Sequence, residues 1–424
     1  MKLVNQIDEL IQAGVISAET GAAIEHYLQH RKINHANQNR LMIAFGILGA
    51  TLIGLGIILI IAHNWDNLSR SIKTIFAFLP LVIGQGVGVY VLLKRNESSA
   101  WREGVAVFIF FGVAACISMV SQIYNIPGDM AGFLLTWMLL SLPLFYLLRS
   151  SITGLLYLIG ITAYAVAEGY FKPGSDPVWL FWGMLLAFLP YYLYILRKSS
   201  GGNFTSFYNW LVPAALLVSL GLFANNSWEL MLMAYLLMLG SFYLTGKLKI
   251  FTSLKLIGNG FYIIGILGSL GILLFLSFDI FWKEWHKLSI SSIVNQSELW
   301  IVLFFTICFL LLIYMQKWRI SAMNWLLVIV LISLFVGLFN EYVPIWLINL
   351  YYLLIGIWYI REGAQRDHLG ILNFGLVVIA SLVVARFFDA NLSFVVRGLL
   401  FLLVGAGFFV ANYRLIKRRK EQIV

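Results

Sequence analysis

Asn64, Trp65 and Asp66, then Gln122, Tyr124 and Asp129, then Glu341, then Arg386, Asp389 and Arg397 are the residues of this chain best equipped for chemistry. All stand at or near the ends of long apolar stretches. A charged side chain at membrane depth costs about 2.5 to 3.5 kcal/mol on insertion scales, so such residues usually face a cavity or one another. Arginines among carboxylates and amides suit recognition of an anionic group, because guanidinium offers a planar fork of donors to carboxylate or phosphate. Arg386 and Arg397 also need a counter-charge. Asp389, three residues past Arg386, is the nearest in sequence, and Asp66 or Glu341 is placed to complete a network across helices. The plainer reading makes each residue an interfacial anchor or a loop turn, with Trp and Tyr in an aromatic belt. Taken together they form a candidate binding site for an anionic or amphiphilic substrate.

Positioning them falls to apolar spans. With 61% hydrophobic and 11% charged residues, and a mean hydropathy of +0.88, the chain belongs with polytopic membrane proteins rather than with two or three soluble domains. Stretches long enough to cross a bilayer, several of them at the short end, are expected at residues 41–62, 72–93, 105–120, 131–148, 152–168, 178–196, 208–224, 228–245, 257–278, 299–315, 325–339, 345–360, 369–387 and 392–412. The fold expected is therefore an all-α polytopic bundle of about fourteen spans over 41–412. A short cytoplasmic helical hairpin (1–40) precedes it and a basic cytoplasmic tail (413–424) follows. If some of the shorter stretches are tilted pairs or re-entrant segments, the count falls to about twelve.

Alternating through fourteen spans places 22 of the 29 Lys and Arg on the side of the termini and 7 on the other, whereas Asp and Glu divide 9 to 10. Only the basic residues are asymmetric, as the positive-inside rule demands, so both termini are expected in the cytoplasm. The candidate site then lies toward the outer leaflet. The net charge of +10 is spread over loop anchors such as Lys94/Arg95, Arg197/Lys198, Lys247/Lys249 and Arg361/Arg366. That dispersal fits anionic lipid headgroups as the partner and not nucleic acid, which calls for one basic face with stacking aromatics.

Residues 1–40 read as two short helices, the first ended by Gly14 and the second capped by Ser17, with a protein partner as one use for the hairpin. His26 and His30, at i and i+4, with His35 beyond, lack a thiolate or carboxylate to complete a metal shell, so no metal is expected. No cofactor is expected either: Gly84-Gln85-Gly86 lies inside an apolar helix and lacks the Lys-Ser/Thr of a phosphate loop. Cys116 and Cys308 fall inside spans and support no disulfide framework. From the polar N-terminus no cleavable signal peptide is expected. Glycines such as Gly84/Gly86/Gly88 and Gly265/Gly268/Gly271 are expected chiefly to let helices pack closely.

Gly54-Leu55-Gly56, Ala62-His63-Asn64-Trp65-Asp66-Asn67-Leu68, Ser121-Gln122-Ile123-Tyr124-Asn125-Ile126-Pro127-Gly128-Asp129, Trp137, Leu142-Pro143-Leu144 and Arg149-Ser150 resemble a family of bacterial predicted membrane proteins, domain of unknown function twenty-one fifty-seven. Leu10-Ile11-Gln12-Ala13-Gly14-Val15-Ile16-Ser17 is similar to that family's cytoplasmic opening. Ala385-Arg386-Phe387-Phe388-Asp389, Arg397-Gly398 and Phe401-Leu402 resemble a C-terminal signature of related multi-pass proteins. The likeness covers about the first 150 residues and the last 45. It implies a protein of the bacterial inner membrane and transfers no activity, so no catalytic residue is assigned.

Three classes of function fit. The leading one is a transporter or lipid flippase using the outer-side polar set. The second is a non-catalytic scaffold, sensor or assembly factor with the hairpin as its handle. The third is a membrane-embedded enzyme for a lipid-linked substrate, with Asp66, Asp389 or His63 as acid or base beside an arginine clamp. The stretch 279–298, offering Lys283, Glu284, His286 and Lys287, is expected as the longest outer loop, without a recognisable nucleophile arrangement.

Overall fold

A computed structural model describes residues 67–171, 179–198, 202–224, 227–252, 254–316 and 321–387, with a few positions between 13 and 24 and between 393 and 413. The chain divides into two units, Met1–Ala77 and Phe78–Val424. In the first, Gly14 takes a left-handed φ of 69°, and Ser17 Oγ accepts the Thr20 N–H at 3.2 Å at the start of a helix. The remainder of the expected hairpin lies outside the described residues.

Every regular element among the described residues is helical. The longer ones are α1 (Arg70–Lys94), α2 (Ser99–Tyr124), α3 (Met130–Leu147), α4 (Ser151–Gly169), α5 (Trp179–Lys198), α6 (Asn203–Leu220), α7 (Trp228–Gly246) and α8 (Gly260–Leu276). They continue with α9 (Asp279–His286), α10 (Ile290–Val294), α11 (Glu298–Met315), α12 (Leu326–Gly337), α13 (Val343–Gln365) and α14 (Leu369–Phe387). Twelve of the fourteen expected spans fall on described residues, and each is a helix. Ten helices among the described residues are long and apolar enough to cross a membrane, eleven if α8 and α9 count as one bent span; the stretch Ala322–Gly337 is shorter. Residues 41–62 lie outside the described set, and the described residues within 392–412 include Val395, Leu399 and Leu402, all helical.

Local chemistry sets the helix ends. Asp129 Oδ1 accepts the Gly132 N–H at 2.9 Å, Ser150 Oγ accepts that of Thr153 at 3.2 Å, and Ser227 Oγ accepts that of Leu230 at 3.3 Å, so α3, α4 and α7 each begin on a side-chain cap. Asn125 at φ 51° closes α2 in the left-handed conformation, while the Ile126 N–H reaches back to Ser121 O. Glu103 of α2 adds a cap from another helix: it accepts the N–H groups of Ser151 at 2.7 Å and Ile152 at 3.0 Å, joining α2 to the start of α4.

Helix α7 is the axis of the second unit, with 83% of its span buried against 17–44% for the other nine long apolar helices. Lipid offers no hydrophobic drive for helix association, so the approach depends on small residues and interhelical hydrogen bonds. A Cβ on Gly246 would stand 2.6 Å from the Tyr262 nitrogen, and one on Gly265 would strike the Tyr243 backbone, so α7 and α8 touch backbone to backbone. Asn209 of α6 accepts from Tyr192 of α5 at 2.8 Å and donates to Gly258 O at 2.9 Å, while Asn259 donates to Gly246 O at 2.8 Å.

The stretch 279–298, expected as a loop, is instead largely helical. Phe281, Trp282 and Trp285 share one buried side of α9, while Asp279 and Lys283 remain half-exposed, so the segment is amphipathic and docks. Its axis turns 68° from that of α8. Trp282 Nε1 donates to Leu276 O at 2.7 Å and Trp285 Nε1 to Leu334 O at 2.9 Å, so the indoles satisfy carbonyls near the ends of α8 and α12.

Candidate functional site

Arg386 lies near the end of α14, half-buried, and faces the break between α8 and α9. Its Nη2 donates to Ser277 Oγ at 3.0 Å, and its guanidinium stacks over the Phe278 ring, 4.4 Å from the centroid. Asn349 of α13 holds the same break, donating to Ser277 O at 3.0 Å. Two residues past Ser277, Asp279 feels the charge of Arg386 through space and pairs with Lys283 at 2.5 Å. Lys283 in turn feels the charge of Glu341, which precedes α13. Arg386, Asp279, Lys283 and Glu341 thus alternate in sign across three segments far apart in sequence.

Of the residues singled out from the sequence, Arg386 stands at this break, and Glu341 acts on Lys283 only through space. Gln122 and Asp129 stand elsewhere, lining a cavity of about 1000 Å³ between α1, α2 and α3 with Gln85, Ser118, Ser121 and Thr136. Asp129 caps α3 from that wall, so its carboxylate has a structural task as well. Tyr124 is exposed and outside the lining. Asn64, Trp65, Asp66, Asp389 and Arg397 lie outside the described residues.

Sequence reasoning missed the Asp279–Lys283 pair at this break and two further carboxylates. Glu298, fully buried at the first position of α11, accepts the Ser227 N–H at 3.3 Å and Ser297 Oγ–H at 3.1 Å. Glu229, buried in the first turn of α7, accepts Ser227 Oγ–H at 2.8 Å. Both occupy helix N-termini, where the peptide dipoles favour negative charge. Trp228, next to Glu229, meets the Phe281 ring of α9 edge-on at 5.7 Å, so the two carboxylates adjoin the docked helix. The available signal was Ser227-x-Glu229 and Ser297-Glu298, each at the head of an apolar run. Among the described residues no group of three or more His, Cys, Asp or Glu side chains is arranged to hold a metal ion.

Residues 8–154 match the family described as Predicted membrane protein (DUF2157). The matched segment carries α1 to α3 and the cavity lined by Gln122 and Asp129, and agrees with the resemblance read from the N-terminal motifs. The site around Arg386 lies beyond it. No curated protein matches the chain, and no solved structure does.

Proposed function

We propose that this multi-pass membrane protein is a transporter, flippase-like in handling an anionic or amphiphilic substrate, and that its substrate site lies at the end of the bundle carrying Arg386. The observation that carries this reading is Arg386 held at a helix break, donating to Ser277 and stacked on Phe278 beside the Asp279–Lys283 pair, where the helix turns through 68°. Discontinuous helices whose ends meet ionisable groups are a recurrent way for transporters to place a charged substrate. A guanidinium held by a hydroxyl and an aromatic ring keeps its charge and its fork of donors, which suits a phosphate or carboxylate headgroup. Amphipathic α9, fixed by two indole hydrogen bonds, is the part whose displacement would open or close access. With the basic loops toward the cytoplasm of a bacterial cell, this site faces the outer leaflet of the inner membrane.

Movement of fluorescent phosphatidylglycerol in proteoliposomes, read as the fraction bleached by external dithionite, tests the proposal. Wild-type protein should raise that fraction well above the half seen in protein-free vesicles. Arg386→Ala should slow the movement at least tenfold, and Arg386→Lys should fail to restore it. A wild type indistinguishable from empty vesicles, with phosphatidylglycerol and with a carboxylate amphiphile alike, would overturn the reading.

A further inference from the structure

At the opposite end of the same helices lies a second polar cavity of about 670 Å³, lined by Lys247, Lys249, Gln316, Ser321, Glu362 and Arg366 among others. It is built from the end of α7, the single turn Lys249–Thr252, the end of α11, Ser321 and the last turns of α13. Lys247 follows the final residue of α7 and is largely buried. Its Nζ donates to Ser321 Oγ at 3.0 Å and sits 4.5 Å from the centroid of the Tyr243 ring. Tyr243 OH is also hydrogen-bonded to Ser321 Oγ at 2.8 Å and to Tyr359 OH at 3.3 Å, so the hydroxyls that hold the lysine are themselves held. Gln316, in the same wall, donates to Leu244 O at 2.6 Å.

Among the described residues the charges lining this cavity do not balance. Glu362 is its lining carboxylate, and it is committed to Arg366 at 2.8 Å and to Trp358 Nε1 at 3.2 Å. Glu362 acts on Lys247 only through space. Among the described residues, three cations and one carboxylate therefore line the space, with the most buried cation outside the ion pair. A sequestered charge without a partner is costly, and a ligand of opposite sign recovers that cost on binding. Burial pushes the Lys247 ammonium down to about 8, with Glu362 opposing and Arg366 adding to the fall, so at neutral pH it still carries its charge. The volume suits a small headgroup rather than a macromolecule.

We propose that this cavity binds a phosphate-bearing anion, with Lys247 as its inner contact and Lys249 and Arg366 at its mouth. The chemistry is that of a phosphomonoester or phosphodiester group, presented by an anionic lipid headgroup or by a soluble phosphate. It stands apart from the Arg386 site, and neither proposal requires the other.

The test is the thermal stability of the full-length protein in an uncharged detergent at pH 7, titrated with inorganic phosphate, phosphatidylglycerol or phosphatidylcholine. A saturable rise in Tm is expected with phosphatidylglycerol or with inorganic phosphate, and the probe that acts identifies the source. Phosphatidylcholine, a zwitterion, should act at least tenfold more weakly. Lys247→Gln should weaken the active probe at least tenfold, and Arg366→Gln, an exposed change that leaves the fold intact, about threefold. If neither anionic probe gives a saturable rise in wild type, or if both variants respond as wild type does, the proposal is wrong. Should Lys247→Gln fail to fold, Lys249→Gln with Arg366→Gln decides the matter by the same criterion.

Discussion

Arg386 and Lys247 are cations at opposite ends of the helix bundle, and their surroundings treat them differently. Arg386 donates to Ser277, stacks on Phe278 and acts through space on Asp279, which is itself paired with Lys283. Lys247 has a serine, a tyrosine ring and, among the described residues, no ion pair, and burial lowers its affinity for a proton. Guanidinium stays charged in almost any protein environment, so the structure need only orient it; an ammonium responds to burial, so its charge depends on what enters the cavity. One end is therefore pre-assembled, and the other is completed by its ligand.

Several experiments would sharpen or break this contrast. The largest effect belongs to Arg386→Ala, which should slow substrate movement at least tenfold in proteoliposomes, a larger loss than that from Lys247→Gln. If Lys247→Gln were the more damaging of the two in that assay, the roles of the ends would have to be exchanged. Next in size is Gly265→Leu, which drives a side chain into the Tyr243 backbone where α7 meets α8 and should cost about 1–3 kcal/mol or more, read as a fall in Tm. Gly271→Leu is its control, because a Cβ there meets nothing within 4 Å, and it should change little.

A smaller effect is expected from Trp285→Phe. It keeps the aromatic packing of α9 but leaves Leu334 O without its donor, a loss of about 1–2 kcal/mol that should appear as faster hydrogen exchange across Asp279–His286. Lys247 supplies a pH test. In the folded protein without ligand it titrates near 8, against 10.5 for an ordinary lysine. Between those values the unfolded chain holds a proton that the folded chain has released, so stability should rise with pH across that window. Lys247→Met should lose the rise, with Lys249, Glu362, Arg366 and the Tyr243 and Tyr359 hydroxyls as the remaining groups facing the site. Anion binding should move the other way and weaken as pH climbs through 8. Smallest of all, Lys287→Ala breaks an exposed pair with Glu284 at 2.7 Å and should shift Tm negligibly.

Much of this architecture is legible in the chain because the bilayer imposes one rule on every segment: backbone polar groups must be satisfied internally, so a long apolar run has to be a helix. Gln122 and Asp129 were recognisable for the same reason, as polar residues at the close of an apolar run. Residues 279–298 were misread because their charges suggest a loop, whereas Phe281, Trp282 and Trp285 bury the same segment on one side. Glu298 closes that same stretch, and only the approach of Ser227, 71 positions earlier, shows it enclosed.

Hydropathy and the placement of Lys and Arg determined from the residues alone that the chain is an all-helical, multi-pass membrane protein, since transfer to lipid depends on composition summed along a segment. Which polar residues meet was decided only by the tertiary structure. Arg386 takes Ser277, 109 positions away, and Lys247 takes Ser321, 74 positions away, because helix packing sets those distances through small residues and hydrogen bonds that leave no periodic trace in the sequence.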